Sequence, residues 1–174
     1  MIDAARLVLM YLVLPLWIAA GFLDWCCHRR TGIERTGGWR ESAFHLLMFA
    51  QMGVAGLMAL LLEITPAVLV GMGLLFLLHE ITVWVELRFV VGRRFVGPFE
   101  QMVHSVMEIL PLAGLLILAV THASPPDDGF MLKRAPLPVG YLVAAACAIV
   151  ILNLAPLLEE AWRCLRHGRI ARAG

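Results

Sequence analysis

Apolar residues run along this chain in five long blocks, each closed by a short polar stretch. The blocks cover about residues 2–30, 39–62, 66–91, 98–121 and 137–158. A helix needs about 20 mostly apolar residues to cross the hydrocarbon core of a bilayer, and every block reaches that length. The breaks between blocks carry helix-stopping chemistry: Gly32 and Gly37-Gly38, then Glu63-Ile64-Thr65-Pro66, then Gly92 to Gly97, then a loop over 122–136. Pro98 opens the fourth block, where the first turn of a helix tolerates its missing N–H. The pattern predicts an all-α integral membrane protein with one transmembrane domain over residues 1–174. Four helices form a transmembrane bundle, and the fifth helix, with only Asn153 as a polar residue inside it, is expected to pack outside, at a homo-oligomer interface.

Composition agrees. Hydrophobic residues make up 61% of 174, mean hydropathy is +0.84, and the 16% of charged residues are bunched between the apolar blocks. A soluble domain of this size could not hide so much apolar side chain. A net charge of +1 gives no case for nucleic acid. Cys26, Cys27, Cys147 and Cys164 lack metal-site spacing and read as reduced thiols. The first block runs on too far, without a small-residue cleavage site, to be a cleavable signal peptide. Arginines are concentrated at 29–40, 88–94 and after Trp162, against Arg6, Lys133 and Arg134 on the other side, which Asp3, Glu63, Asp127 and Asp128 offset. By the positive-inside rule the N-terminus is expected outside and the C-terminus in the cytoplasm, most simply in a bacterial inner membrane.

The chemistry sits inside these spans. Asp24 and His28 end the first, Glu41 and His45 begin the second, His79, Glu80 and Glu86 lie in the third, and Glu100, His104 and Glu108 in the fourth. Residues four apart share a helix face. At a rise of about 1.5 Å per residue, Asp24, His45 and His104 fall at similar depth, with His28, Glu41 and Glu100 nearer the surface. Glu86 belongs to the same layer, and His79 and Glu108 lie a turn or two deeper. The two hairpins repeat weakly: acid and His, a basic turn, then Glu-x3-His. Charged groups inside a membrane face an interior, pair, or bind something, and few arginines lie at that depth. Asp24, His28, Glu41, His45, His79, Glu86, Glu100, His104 and Glu108 are therefore the expected metal ligands, near the cytoplasmic side. Their number calls for two ions, iron first, with zinc or manganese as alternatives. Glu80 and Glu108, where they are not ligands, are expected proton carriers.

This layout resembles the di-iron carboxylate bundles, ferritin-like and alternative-oxidase-like, in which four helices point Glu and Glu-x-x-His ligands inward. The likeness covers about residues 20–110, with Asp24-x3-His28, Glu41-x3-His45 and Glu100-x3-His104 in place of Glu-x-x-His. It implies an oxidoreductase acting on a quinol, or on another lipid-like substrate that enters from the bilayer. Three alternatives stay open: a zinc-dependent membrane hydrolase, a haem-b electron carrier using two of the histidines, and a metal transporter. His122 and His167 read as solvated. Trp17, Trp84 and Trp162 read as packing or interface aromatics. Gln51 and Ser105 are either hydrogen-bond partners of the ligands or helix-helix contacts.

Overall fold

A computed structural model describes residues 4–121 and 129–173, with side chains through residue 168. His122, Asp3, Asp127 and Asp128, and the side chains of Arg169 and Arg172, lie outside the described residues. Five helices are long and apolar enough to cross a membrane, and among the described residues no strand forms beyond one isolated bridge between Leu62 and Leu132. That is the architecture of an integral membrane protein.

Helix α1 spans Ala4–Thr31, with a π turn at Leu9–Val13. A 3-10 turn at Ile33–Arg35 leads to α2, Gly38–Leu61, followed by α3, Pro66–Val90, and α4, Pro98–Thr121. Helix α5 starts as Val139–Ile149, passes through a second π turn at Val150–Leu154, and continues as Ala155–Ala173. It runs well past Leu158, where the apolar block ends, because the next residues are good helix formers without a breaker.

The helices close into a ring. α1 packs on α4, α4 on α3, α3 on α2, α2 on α5, and α5 back on α1. The expectation that the fifth helix packs outside the bundle is therefore corrected: α5 fits between α1 and α2. Gly21 lets it approach, since a Cβ there would meet Asn153 Nδ2 at 2.6 Å. That amide donates to the Ile18 carbonyl at 2.9 Å, and the Tyr141 hydroxyl donates to the Met10 carbonyl at 3.1 Å. Nearer the other end, Trp25 Nε1 and Arg29 Nη1 donate to the Glu159 carboxylate, at 3.0 and 2.6 Å. Arg163 pairs with Glu34 of the 3-10 turn.

The apolar core is small. Met52, Ala55, Val68 and Met72 centre it between α2 and α3, with Trp17 against it. Large apolar side chains such as Leu57, Val70, Leu74, Leu77 and Ile109 are exposed on the outer faces. Lipid in place of water is the environment those faces require. The buried polar residues concentrate at the end of the ring that carries the 32–37 and 91–97 connections.

Candidate metal centre

Local structure fixes where each side chain starts. Thr31 Oγ1 donates to the Cys27 carbonyl and the Gly32 N–H to that of His28, and Gly32 takes a left-handed φ of 66°. The helix thus stops one turn beyond His28. Gly37 then lies directly beneath Glu41, where any Cβ would fall 1.6 Å from Glu41 Oε2. On the fourth helix, Pro98 sets the first turn, from which Glu100 and then His104 point into the ring.

Three groups of side chains converge. Asp24, His28, Glu100 and His104 each offer a ligand atom, all within 4.8 Å of one another. Glu41, His45 and Glu86 form a second group, and His28, His45 and Glu160 a third. His28 Nε2 lies 3.5 Å from Asp24 Oδ1 and 3.3 Å from Glu100 Oε1, and it is buried with no hydrogen-bond partner. Two ligands held about 2.1 Å from one tetrahedral ion stand about 3.4 Å apart. These separations therefore fit two ligands of a shared cation. His104 Nε2 is closer to Asp24 Oδ1, at 2.8 Å, a hydrogen-bond distance. His45 Nε2 faces Glu86 Oε1 at 3.9 Å. The imidazoles of His28 and His45 are stacked, 4.4 Å between centroids and 5° from parallel.

Arg94 reaches in from the 91–97 connection. Its Nε meets Glu41 Oε1 and its Nη2 meets Glu100 Oε1, both at 2.7 Å. Burial works against its charge, but the pairing with Glu100 and Glu41 outweighs it and holds its pKa above the ordinary arginine value. Of the five carboxylates in these groups, Asp24, Glu41, Glu86, Glu100 and Glu160, Glu41 and Glu100 pair with this guanidinium. With neutral imidazoles, four negative charges remain, which two divalent cations would balance.

Seven of the nine expected ligands lie in these groups: Asp24, His28, Glu41, His45, Glu86, Glu100 and His104. His79 and Glu108 do not. His79 is buried against the backbone of Met48, and its Nδ1 has no hydrogen-bond partner. Glu80 is half-buried within electrostatic reach of Glu108, apart from the three groups. Gln51 donates to Thr82 Oγ1 at 3.0 Å, and Ser105 to the Gln101 carbonyl. His167 is exposed.

Two participants escaped the sequence reading. Arg94 lies in a turn, where an arginine reads as a topology signal. Glu160 lies beyond the last apolar residue of its block. Its available signal was the Glu159-Glu160 pair followed by Arg163, acids and base one helical turn apart.

Comparison with protein-family models, with curated proteins and with solved structures finds no match to this chain.

Proposed function

We propose that this chain is a membrane-embedded dinuclear metal protein, a di-iron oxidoreductase that acts on a quinol or another lipid-like substrate. The observation that carries the reading is the buried His28 Nε2, which makes no hydrogen bond and faces Asp24 and Glu100 at cation-sharing distances. Asp24, His28, Glu100 and His104 would hold one ion, and Glu41, His45 and Glu86 the other. Imidazole mixed with a majority of carboxylates, and no thiolate, suits iron or manganese. Iron bound there would supply oxygen activation and redox chemistry.

The chain's own residues supply the surroundings. The Arg94 connection covers the site at its loop end and keeps water from the carboxylates it pairs with. A small apolar groove lies between α2 and α5, lined by Trp39, Ser42, Ala43, Leu46, Ala161 and Leu165, and the end of an alkyl chain would enter there from the bilayer. Glu80 and Glu108, deeper in the bundle, are the carboxyls that would hold protons in transit. A haem fits less well. The rings of His28 and His45 are stacked 4.4 Å apart and turn their faces, not their nitrogens, toward each other, so this pair cannot hold one haem iron between them.

Metal analysis and absorption spectroscopy on protein purified without added metal test the reading. About two iron ions per chain and no Soret band are expected. His45→Ala and His104→Ala should each lose most of the metal while the protein still inserts, and His167→Ala should keep its metal in full. A colourless protein holding zinc would move the assignment to a hydrolase. Wild-type metal content in both His45→Ala and His104→Ala would end it.

A further inference from the structure

The fifth helix delivers one carboxylate to two imidazoles. Glu160 is 1% exposed. Its Oε2 lies 3.1 Å from His28 Nδ1 and its Oε1 lies 2.8 Å from His45 Nδ1. Both contacts use the Nδ1 edge, so both Nε2 atoms point elsewhere: that of His28 toward Asp24 and Glu100, that of His45 toward Glu86. An imidazole has one donor and one acceptor nitrogen when neutral. A carboxylate accepting at Nδ1 fixes the proton there and leaves the Nε2 lone pair for a cation. Metal-binding histidines usually donate their second ring N–H to a carboxylate or carbonyl in this way, which sets ring orientation and raises basicity. The His28 Nε2 contacts, at 3.5 and 3.3 Å, match the roughly 3.4 Å expected between two ligands of one tetrahedral ion, so that nitrogen is the one turned toward a cation.

Helix phase explains why Glu160 faces the site and its neighbour Glu159 does not. The π turn at Val150–Leu154 carries an extra residue. One added residue rotates everything beyond it by about 100° relative to an unbroken α-helix. Tyr141, Ala145 and Asn153 all meet α1 or the interior, and the rotation keeps Glu160 and the buried Cys164 on that side. Glu159 is turned to the rim, where it meets Trp25 and Arg29.

We propose that Glu160 is the shared positioning residue of two metal-binding histidines, accepting the Nδ1 protons of His28 and His45 and so coupling both ion sites through one carboxylate. The inference rests on the dinuclear reading and adds a role for α5 that the ligands alone do not require.

Cobalt(II) titration of the full-length protein in detergent tests it, with Co2+ as the probe. Wild type should bind two Co2+ and show two slowly exchanging, hyperfine-shifted imidazole N–H resonances. Glu160→Ala should still reach two Co2+ at saturation, with both affinities weakened roughly 10–100-fold and both slow resonances lost. Glu160→Gln should keep one of those resonances, because an amide offers an acceptor to one ring and a donor to the other. Glu159→Ala, on the same helical turn, should keep both affinities and so control for damage to α5. A saturation value of one Co2+ in Glu160→Ala would make Glu160 a ligand and overturn the proposal. Unchanged affinities in that variant would overturn it equally. Wild type binding no Co2+ would instead remove the dinuclear reading beneath it.

Discussion

A guanidinium as buried as that of Arg94 must be matched by carboxylates, because an unpaired charge in such surroundings costs several kcal/mol. The converse holds for Glu41 and Glu100, which share that guanidinium at 2.7 Å each. Arg94→Met should therefore destabilise the metal-free protein by about 3–5 kcal/mol. In the metal-loaded protein the cost should be smaller, since the ions take over the neutralisation. Thermal unfolding in detergent, with and without chelator, measures the difference; equal shifts in the two states would detach Arg94 from the ion sites. Arg94→Lys should not restore the loss, as an ammonium cannot bridge two carboxylates with the geometry of a fork. The adjacent glycines make a sharper contrast. Gly37 has ordinary helical angles, so Gly37→Ala is resisted only by the Glu41 side chain lying 1.6 Å from the new Cβ. It should weaken metal binding. Gly38 has φ 63° with open space around it. Gly38→Ala should cost about 1 kcal/mol of stability through the backbone and leave metal affinity unchanged.

At the scale of the element, the apolar blocks located all five helices, and the four-residue spacing placed Asp24, His28, Glu41, His45, Glu100 and His104, six of the seven candidate ligands, on inward faces. Those signals are local, so they were legible. Asp24 and His28, for instance, needed only the length of α1 and its stop at Gly32. What the sequence hid depends on packing between elements. Nothing in the order of residues shows that α5 fits between α1 and α2, or that Gly21 makes room for Asn153. The π turn hid Glu160 further, because phase counted at 3.6 residues per turn fails across it. His79 erred in the other direction: it shares a face with Glu86, but seven residues of rise carry it beyond the site to Met48. The π turn gives a direct test. Ile151 is exposed on the outer face, and deleting it removes the extra residue, so Val150–Leu154 should relax to α geometry with the segments on either side in unchanged phase. Glu160 would then keep its place against His28 and His45. Circular dichroism should show the helix content retained, and metal affinity should stay at the wild-type value. A fall in affinity as large as that in Glu160→Ala would overturn the phase argument.

For the whole molecule, the question is how a site with five carboxylates tolerates a membrane. Its surroundings are those of an interface. Arg88 lies over the Trp84 ring at 4.8 Å, Arg166 over Trp162 at 5.3 Å, and Arg29 over Trp25 at 5.5 Å. Trp84 and Trp162 are more than half exposed, as is Trp39 nearly, so four tryptophans from α1, α2, α3 and α5 ring the outside near the site. Tryptophan with arginine favours the headgroup level, where an apolar ring and a charged tip are both solvated. On the proposed reading, that belt would put the candidate ion sites just inside one interface, the depth at which the headgroup of a lipid-like substrate would lie. The opposite end is built differently: Lys133 Nζ donates to the Ala59 and Leu62 carbonyls at 2.6 Å each, closing the end of α2. Burial lowers the Lys133 pKa, with Glu63 offsetting part of the effect. A lysine engaged in this way answers a local need of the backbone, whereas Arg88, Arg93 and Arg166 are stacked on rings and remain at the surface. The site end should therefore be the cytoplasmic one. A fluorescent reporter that matures only in the cytoplasm should be bright when fused after Gly174 and dark when inserted after Glu63. The opposite pattern would put the ion sites at the outer face, and the electron and proton donors sought for them would then have to be periplasmic.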